Sequence, residues 1–212
     1  AFQVLGREDA ENIGYIIPSE VVKHFLVDFL KNGKYTGFAS CGFAWQALEN
    51  QQMRIALGLK SGQSGIRIRR VEPASPASKV LEAGDIVLKV QGSEIGDDGK
   101  VPFRGTRNER IDFHYLISQM FVGDTCDFTI LRKQRKKELT LQCAAMRPLV
   151  LHDAPDPPQY FILGGLVFVP LTESLLMDDF GNNFHKEAPI SMISQWTDGL
   201  RDSEDHEIIV LS

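Results

Sequence analysis

Side chains able to carry chemistry are few and scattered along this 212-residue chain. The histidines His24, His114, His152, His185 and His206 stand far apart, with no HExxH pair to hold a catalytic zinc. Cys41, Cys126 and Cys143 are widely spaced and form no CxxC pair. That argues against a disulfide framework or a structural zinc site and fits a reducing compartment. Asp97 and Asp98 in "GSEIGDDGK" superficially suggest a calcium loop, but the alternating ligand spacing and terminal Glu are missing. A solvated acidic loop is expected instead, and no cofactor or metal. A Ser–His–Asp site would have to be assembled from distant positions without a nucleophile elbow. The stretch that does suggest chemistry is Ser40-Cys41-Gly42-Phe43-Ala44-Trp45. An apolar–Gly–apolar step at the mouth of an alternating run implies a bulge or the close approach of another backbone.

The elements that must position this stretch are legible on either side. "IGYIIP" is a short apolar run closed by Pro18, and Ser19 is placed to cap the helix "EVVKHFLVDFLKNG". Val22, Phe25, Leu26, Phe29 and Leu30 recur at helical spacing, and Gly33 fits the stop. From Gly42 onward "GFAWQAL" reads as a strand, "NQQMRIALGL" as a short helix and "GIRIRRVEP" as a strand ended by Pro73. "SPASKVL" is a helical turn and "AGDIVLKVQGSEI" a strand pair turning at Gln91-Gly92. "RIDFHYLISQM" reads as an amphipathic helix and "CDFTILRKQRKKELTLQC" as a closing hairpin. This order within about 100 residues predicts a mixed α+β unit, a small partly open β-barrel capped by helices.

The composition, 43% hydrophobic and 24% charged, is that of a globular chain, and the length suits one large or two small domains. At a net charge of −5, no global field draws it to nucleic acid or anionic lipid. The basic run Arg132-Lys133-Gln134-Arg135-Lys136-Lys137 reads as a solvated hairpin turn. No apolar run reaches the ~18 residues of a membrane-spanning helix. The chain starts in mid-pattern with Ala1, offers no targeting segment to read, and looks like a piece of something longer. Pro148, Pro155, Pro157 and Pro158 mark a stiff, extended link. Beyond it an internal repeat appears: "GFAWQALENQQM" (42–53) and "GLVFVPLTESLL" (165–176) share Gly, aromatic and Leu spacing at an offset of 123 residues.

Together "NIGYIIPSEVVKHFL", "GKYTGF", "GIRIRRVEPASPASKVLEAGDIVLKVQG", "GKVPFR", "ERIDFHYLISQMFVGDT" and "YFILGGLVFVPL" resemble the PDZ region of the Deg/HtrA serine proteases, especially the plant-type branch. The resemblance implies five parts. Residues 1–18 would end a trypsin-like protease domain, contributing to its substrate side-chain pocket, and 19–33 would be the helix leading out of it. Residues 34–147 would be a first PDZ domain, 148–159 a linker, and 160–212 an incomplete second PDZ-like domain lacking its groove helix. The family's catalytic serine sits in a Gly-Asn-Ser-Gly-Gly motif that would lie upstream of Ala1. No catalytic residue is therefore expected here, and the chain alone should be inactive.

The resemblance also implies a role for the Gly42 stretch. Amides of Cys41, Gly42 and Phe43 would form a nest for a peptide carboxylate. The peptide would add a strand along Phe43-Ala44-Trp45. Its last side chain would enter an apolar pocket of Phe43, Phe113 and Ile117, while Leu116 and Met120 face the core. These pocket residues read equally well as plain core. The implied partners are unfolded or damaged protein segments, peptide C-termini and further copies of the parent protease, in chloroplast, mitochondrion or nucleus. A structural module whose groove is filled by its own chain or a neighbour is the alternative.

Overall fold

The computed structural model describes residues 2–4, 15–104, 106–145, 147–153, 157 and 159–212. Most of the loop assigned to a protease pocket, residues 5–14, lies outside the described residues, as do Pro155 and Pro158. Strands β1 (Phe2–Val4) and β2 (Tyr15–Ile17) pair antiparallel, Phe2 opposite Ile17. Helix α1 (Ser19–Asn32) follows at once. Its N-cap is Pro18, one residue before the expected Ser19, whose hydroxyl donates to Glu20 Oε2 instead (3.2 Å). Gly33 ends the helix at φ +69°, donating its N–H to Phe29 O (2.8 Å).

The apolar spacing located α1 correctly but not its buried side. Phe25 is 44% and Leu30 82% exposed, whereas His24 and Asp28 are buried. The polar side can pack inward because nearly every polar atom on it finds a partner. His24 Nε2 meets the Met120 carbonyl (3.0 Å), and its ring stacks between Phe38 and Phe121 (centroids 4.9 and 4.4 Å). Asp28 accepts from the Thr36 amide (2.5 Å), the Thr36 hydroxyl (2.8 Å) and Asn32 Nδ2 (2.8 Å).

The first unit follows. Its strands are β3 (Ala39–Ser40), β4 (Phe43–Ala47), β5 (Ile66–Val71), β6 (Ile86–Val90), β7 (Ser93–Glu94), β8 (Lys100–Phe103), β9 (Thr106–Asp112), β10 (Thr125–Arg132), β11 (Arg135–Gln142) and β12 (Ala144–Ala145). The main sheet runs β11-β10-β6-β5-β4, with β7 on β6. Two smaller ladders, β3–β12 and β8–β9, complete it. Helices α2 (Gln51–Ala56) and α3 (His114–Ser118) and a 3₁₀ turn (Pro76–Lys79) cap the sheets. The turns follow from local chemistry: Gln91 and Gly92 (φ 49°, 75°) and Lys133 and Gln134 (φ 49°, 63°) take the left-handed pairs of two-residue hairpins. Inward residues Ile66, Ile68, Val87, Val90, Phe128 and Ile130 form one core, each worth roughly 1.5–3 kcal/mol of burial. Buried Asp85 opens β6 and takes a two-point contact from Arg132 at the end of β10 (2.7 and 2.6 Å), tying both strands together.

One element differs from expectation. "RIDFHYLISQM" is not one helix: Arg110–Asp112 belong to β9, paired with β8, and α3 starts only at His114. Pairing Lys100 with Asp112 and Val101 with Ile111 overrides the helical periodicity of the segment.

The second unit has β13 (Phe161–Leu163), β14 (Leu166–Pro170) and β15 (Ile209–Leu211) in one antiparallel sheet, with α4 (Glu173–Phe180), α5 (Phe184–Glu187) and α6 (Ile190–Asp198) between β14 and β15. Shifting β4 by 123 positions lands on β14, and both strands follow a positive-φ glycine (Gly42 63°, Gly165 86°). The segment read as a linker contributes to this unit: Val150 joins its core with Leu176 and Phe184, and Leu151 bridges to Thr172.

The Thr36 amide holds the Asp28 carboxyl below its ordinary value of 3.8, outweighing burial. A carboxyl depressed in the folded state stabilises above its unfolded value and loses that contribution as pH falls through it. Melting temperature should therefore drop more steeply for the native chain than for Asp28→Asn between about pH 5 and pH 3. Parallel melting curves would remove Asp28 as the seat of α1.

Candidate functional site

Gly42 adopts φ +63°, and a Cβ there would lie 2.5 Å from Ser75 Cβ. Only glycine satisfies both demands. What approaches Gly42 is thus Ser75, at the foot of the 3₁₀ turn. The Gly42 carbonyl accepts from the Glu72 amide (2.8 Å) and from Ser75 Oγ (3.3 Å), which also reaches Glu72 O (2.8 Å). The Gly42 amide donates to Ser40 Oγ (3.2 Å). In this state the loop holds an internal hydroxyl where a carboxylate was expected. Burial pushes the Glu72 carboxyl up, with Arg70 opposing.

Among the described residues, strand β4 is the edge of the main sheet and pairs only with β5, Phe43 opposite Val71 and Ala47 opposite Ile66. A bulge lies between Ala44 and Trp45. In an antiparallel edge, backbone groups of alternate residues face away from the partner and are open to another strand. The loop and the free edge are therefore adjacent.

The expected pocket is filled. Phe113 is 0% and Ile117 1% exposed and both belong to the core, against which the half-buried Leu116 and Met120 also pack. The shorter helix explains it: Phe113 is the residue before α3, its amide held by Gly99 O (3.0 Å), and it points into the core. Phe43 stacks on Phe113 (6.4 Å, 8°) and meets Phe128 edge-on. Trp45 meets Phe113 edge-on at 5.6 Å, with the outer atoms of its indole so near Gly99 that any Cβ there would collide with them. Ala44 and Trp45 remain half-buried beside α3.

The other chemistry-bearing residues sort out locally. Asp97 pairs with Arg54 (2.7 Å) and Asp98 with Arg110 (3.1 Å). His114 pairs with Asp112 (2.6 Å), and His152 with Glu173 (3.2 Å). No group of metal-holding side chains is found among the described residues. No helix among them is long and apolar enough to cross a membrane. What the sequence did not reveal is that Cys41, Cys126 and Cys143 converge in the core just beneath the loop. The register of β12 on β3 was the missing signal.

Models described as PDZ domain match residues 46–143, from the end of β4 to just past β11, and residues 149–212, the second unit. The chain belongs to the PDZ family. Its PDZ units are similar to those of Deg/HtrA proteases. It is 44% identical over 84% of its length to Protease Do-like 2, chloroplastic, from Arabidopsis thaliana, spanning 29% of that protein. It is 39% identical over 77% of its length to Protease Do-like 4, mitochondrial, from the same organism, spanning 32%. It is 32% identical over 65% of its length to Serine protease Do-like HtrA of Bacillus subtilis, spanning 30%. The chain thus covers about a third of these relatives.

Substituting Gly42→Ala should cost roughly 1–2 kcal/mol from the backbone angle alone, plus the clash. Denaturant midpoints would read this loss, and Ser75→Gly in the same chain should recover the clash portion. An unchanged midpoint for Gly42→Ala would mean the loop is not seated on Ser75.

Proposed function

We propose that the first PDZ unit captures the apolar C-terminal end of an extended polypeptide by strand addition to β4. The observation that carries this reading is the free edge of β4 directly after the Gly42 loop. The peptide's main chain would bond along Phe43–Trp45, and its carboxylate would displace Ser40 Oγ from the Gly42 amide. Its last side chain would take the place of the Trp45 indole or stack on it, with Phe43, Phe113 and Ile117 as the apolar floor. In a parent serine endopeptidase of the Deg/HtrA kind, this would deliver damaged or unfolded chains, whose exposed tails are apolar. By likeness to the relatives, the compartment would be a chloroplast or a mitochondrion. The domain boundaries at 18, 33 and 147 belong to the same reading, with Val150 and Leu151 already part of the second unit.

A specific observation favours a second reading. The gap between β4 and α3 is already filled by the domain's own Trp45 and Phe43. A module closed in this way would serve assembly of the parent oligomer rather than capture.

Peptides ending in Val, Leu or Phe should bind the chain saturably and shift its tryptophan fluorescence, and a C-terminal amide should weaken them about tenfold or more. Equal affinity for free and amidated ends would sink the carboxylate nest. No binding, together with a changed oligomer size for Phe43→Ala, would favour the assembly reading.

The chain alone should take no label from a fluorophosphonate serine probe, since no nucleophile is assigned to it. Stoichiometric labelling would place a complete active site within these residues.

A further inference from the structure

Three cysteines from separate segments meet under the Gly42 loop. Ala144 pairs with Ser40 and Ala145 with Ala39, so continuing that register by one residue sets Cys143 opposite Cys41. Directly opposed residues have Cα atoms ~4.5–5.5 Å apart, within the span of a disulfide. Cys143 is also opposite Asp124, donating to its carbonyl (2.8 Å), which puts Cys126 diagonally across the β10–β11 ladder. Diagonal positions are ~7–8 Å apart, at or beyond the disulfide limit while the ladder holds. Cys126 is 0%, Cys143 2% and Cys41 4% exposed. Cys126 lies within β10, whereas Cys41 and Cys143 lie just outside strands, next to the two residue pairs of β3–β12.

The thiols influence one another. A hydrogen bond with Cys143 draws the Cys126 thiol down, but contact with Cys41 and burial outweigh it, and the group is pushed up to about 12. Contact with Cys126, then burial, pushes the Cys143 thiol up as well. Few thiolates exist at rest, so the closed cluster is slow to react. Opening of β3–β12 is the step that admits an oxidant.

We propose that Cys41, Cys126 and Cys143 form a buried thiol latch, in which a peroxide joins Cys41 to Cys143 or Cys126 and the new bond draws the peptide loop inward. The chemistry balances with hydrogen peroxide as the oxidant. One sulfur attacks an oxygen, the S–O bond forms as O–O breaks, and the released hydroxide leaves as water with the thiol proton. The second sulfur attacks the sulfenic acid, S–S forms as S–O breaks, and a second water leaves with the remaining thiol proton. Two thiols lose two electrons, and the peroxide is reduced to two waters. An S–S length of ~2.0 Å is shorter than any thiol contact, so Cys41 moves toward the core and takes the Gly42 amide with it. The consequence for peptide affinity rests on the peptide-binding reading above.

The test is non-reducing peptide mapping of the whole chain after hydrogen peroxide, with titration of a Val-ended peptide before, after, and after dithiothreitol. A disulfide containing Cys41 is expected, with a Kd raised about tenfold and restored by reduction. Cys41→Ser should lose both the disulfide and the peroxide effect, and counting its two remaining thiols with and without denaturant checks that it has folded. Three unpaired thiols, sulfinic acids alone, or a disulfide joining only Cys126 and Cys143 would overturn the latch. A Cys41 disulfide with unchanged Kd would overturn its coupling to the loop. Failure of the reduced chain to bind any peptide would count against the peptide-binding reading, while the map still judges the latch.

Discussion

At Gly42 the backbone turns through a left-handed angle against Ser75, and the first unit is organised around that contact. It fixes where β4 begins and which of its edges pairs with β5. It also brings the 3₁₀ turn beneath the loop, so that Glu72 and Ser75 satisfy the Gly42 carbonyl. A side chain at that position would separate the two segments. The free edge, the loop and the aromatic layer of Phe43, Trp45 and Phe113 all follow from one close approach.

That seat is braced from outside the main sheet. The Ala74 amide donates to Arg201 O (3.3 Å), and Arg70 reaches Asp198 (3.5 Å), so the second unit touches the segment that supports Gly42. Arg201 also donates to Pro148 O (3.1 Å), holding the start of the connecting segment. On the other side, His24 of α1 grips the Met120 carbonyl just after α3. The flanking elements therefore bear on both walls of the gap between β4 and α3.

The second unit shows the same logic with a different outcome. Its register places Phe161, Leu163, Leu166, Phe168, Ile209 and Leu211 on one face of a three-stranded sheet. Leu176, Phe184 and Val150 form a core on the helical side. The repeated glycine and aromatic spacing reproduced the strand and the helix after it, but three helices now stand between β14 and β15.

Local chemistry determined most of the first unit. Asn50 capping α2, Gln91-Gly92 and the Lys133-Gln134 turn act over a few residues and can be read directly from the chain. The same holds for the strands with inward Ile66 and Ile68, and for Gly42 as a point of close approach. Tertiary structure decided what depends on partners distant in sequence. Pairing with β8 made residues 110–112 a strand, which shortened α3 and turned Phe113 and Ile117 into the core. The Met120 carbonyl accepting from His24 and the Thr36 amide donating to Asp28 chose the polar side of α1 for burial. Strand register brought together three cysteines that spacing alone had kept apart. Periodicity records which residues share a face, but which face is covered depends on the hydrogen-bond and packing partners that folding supplies.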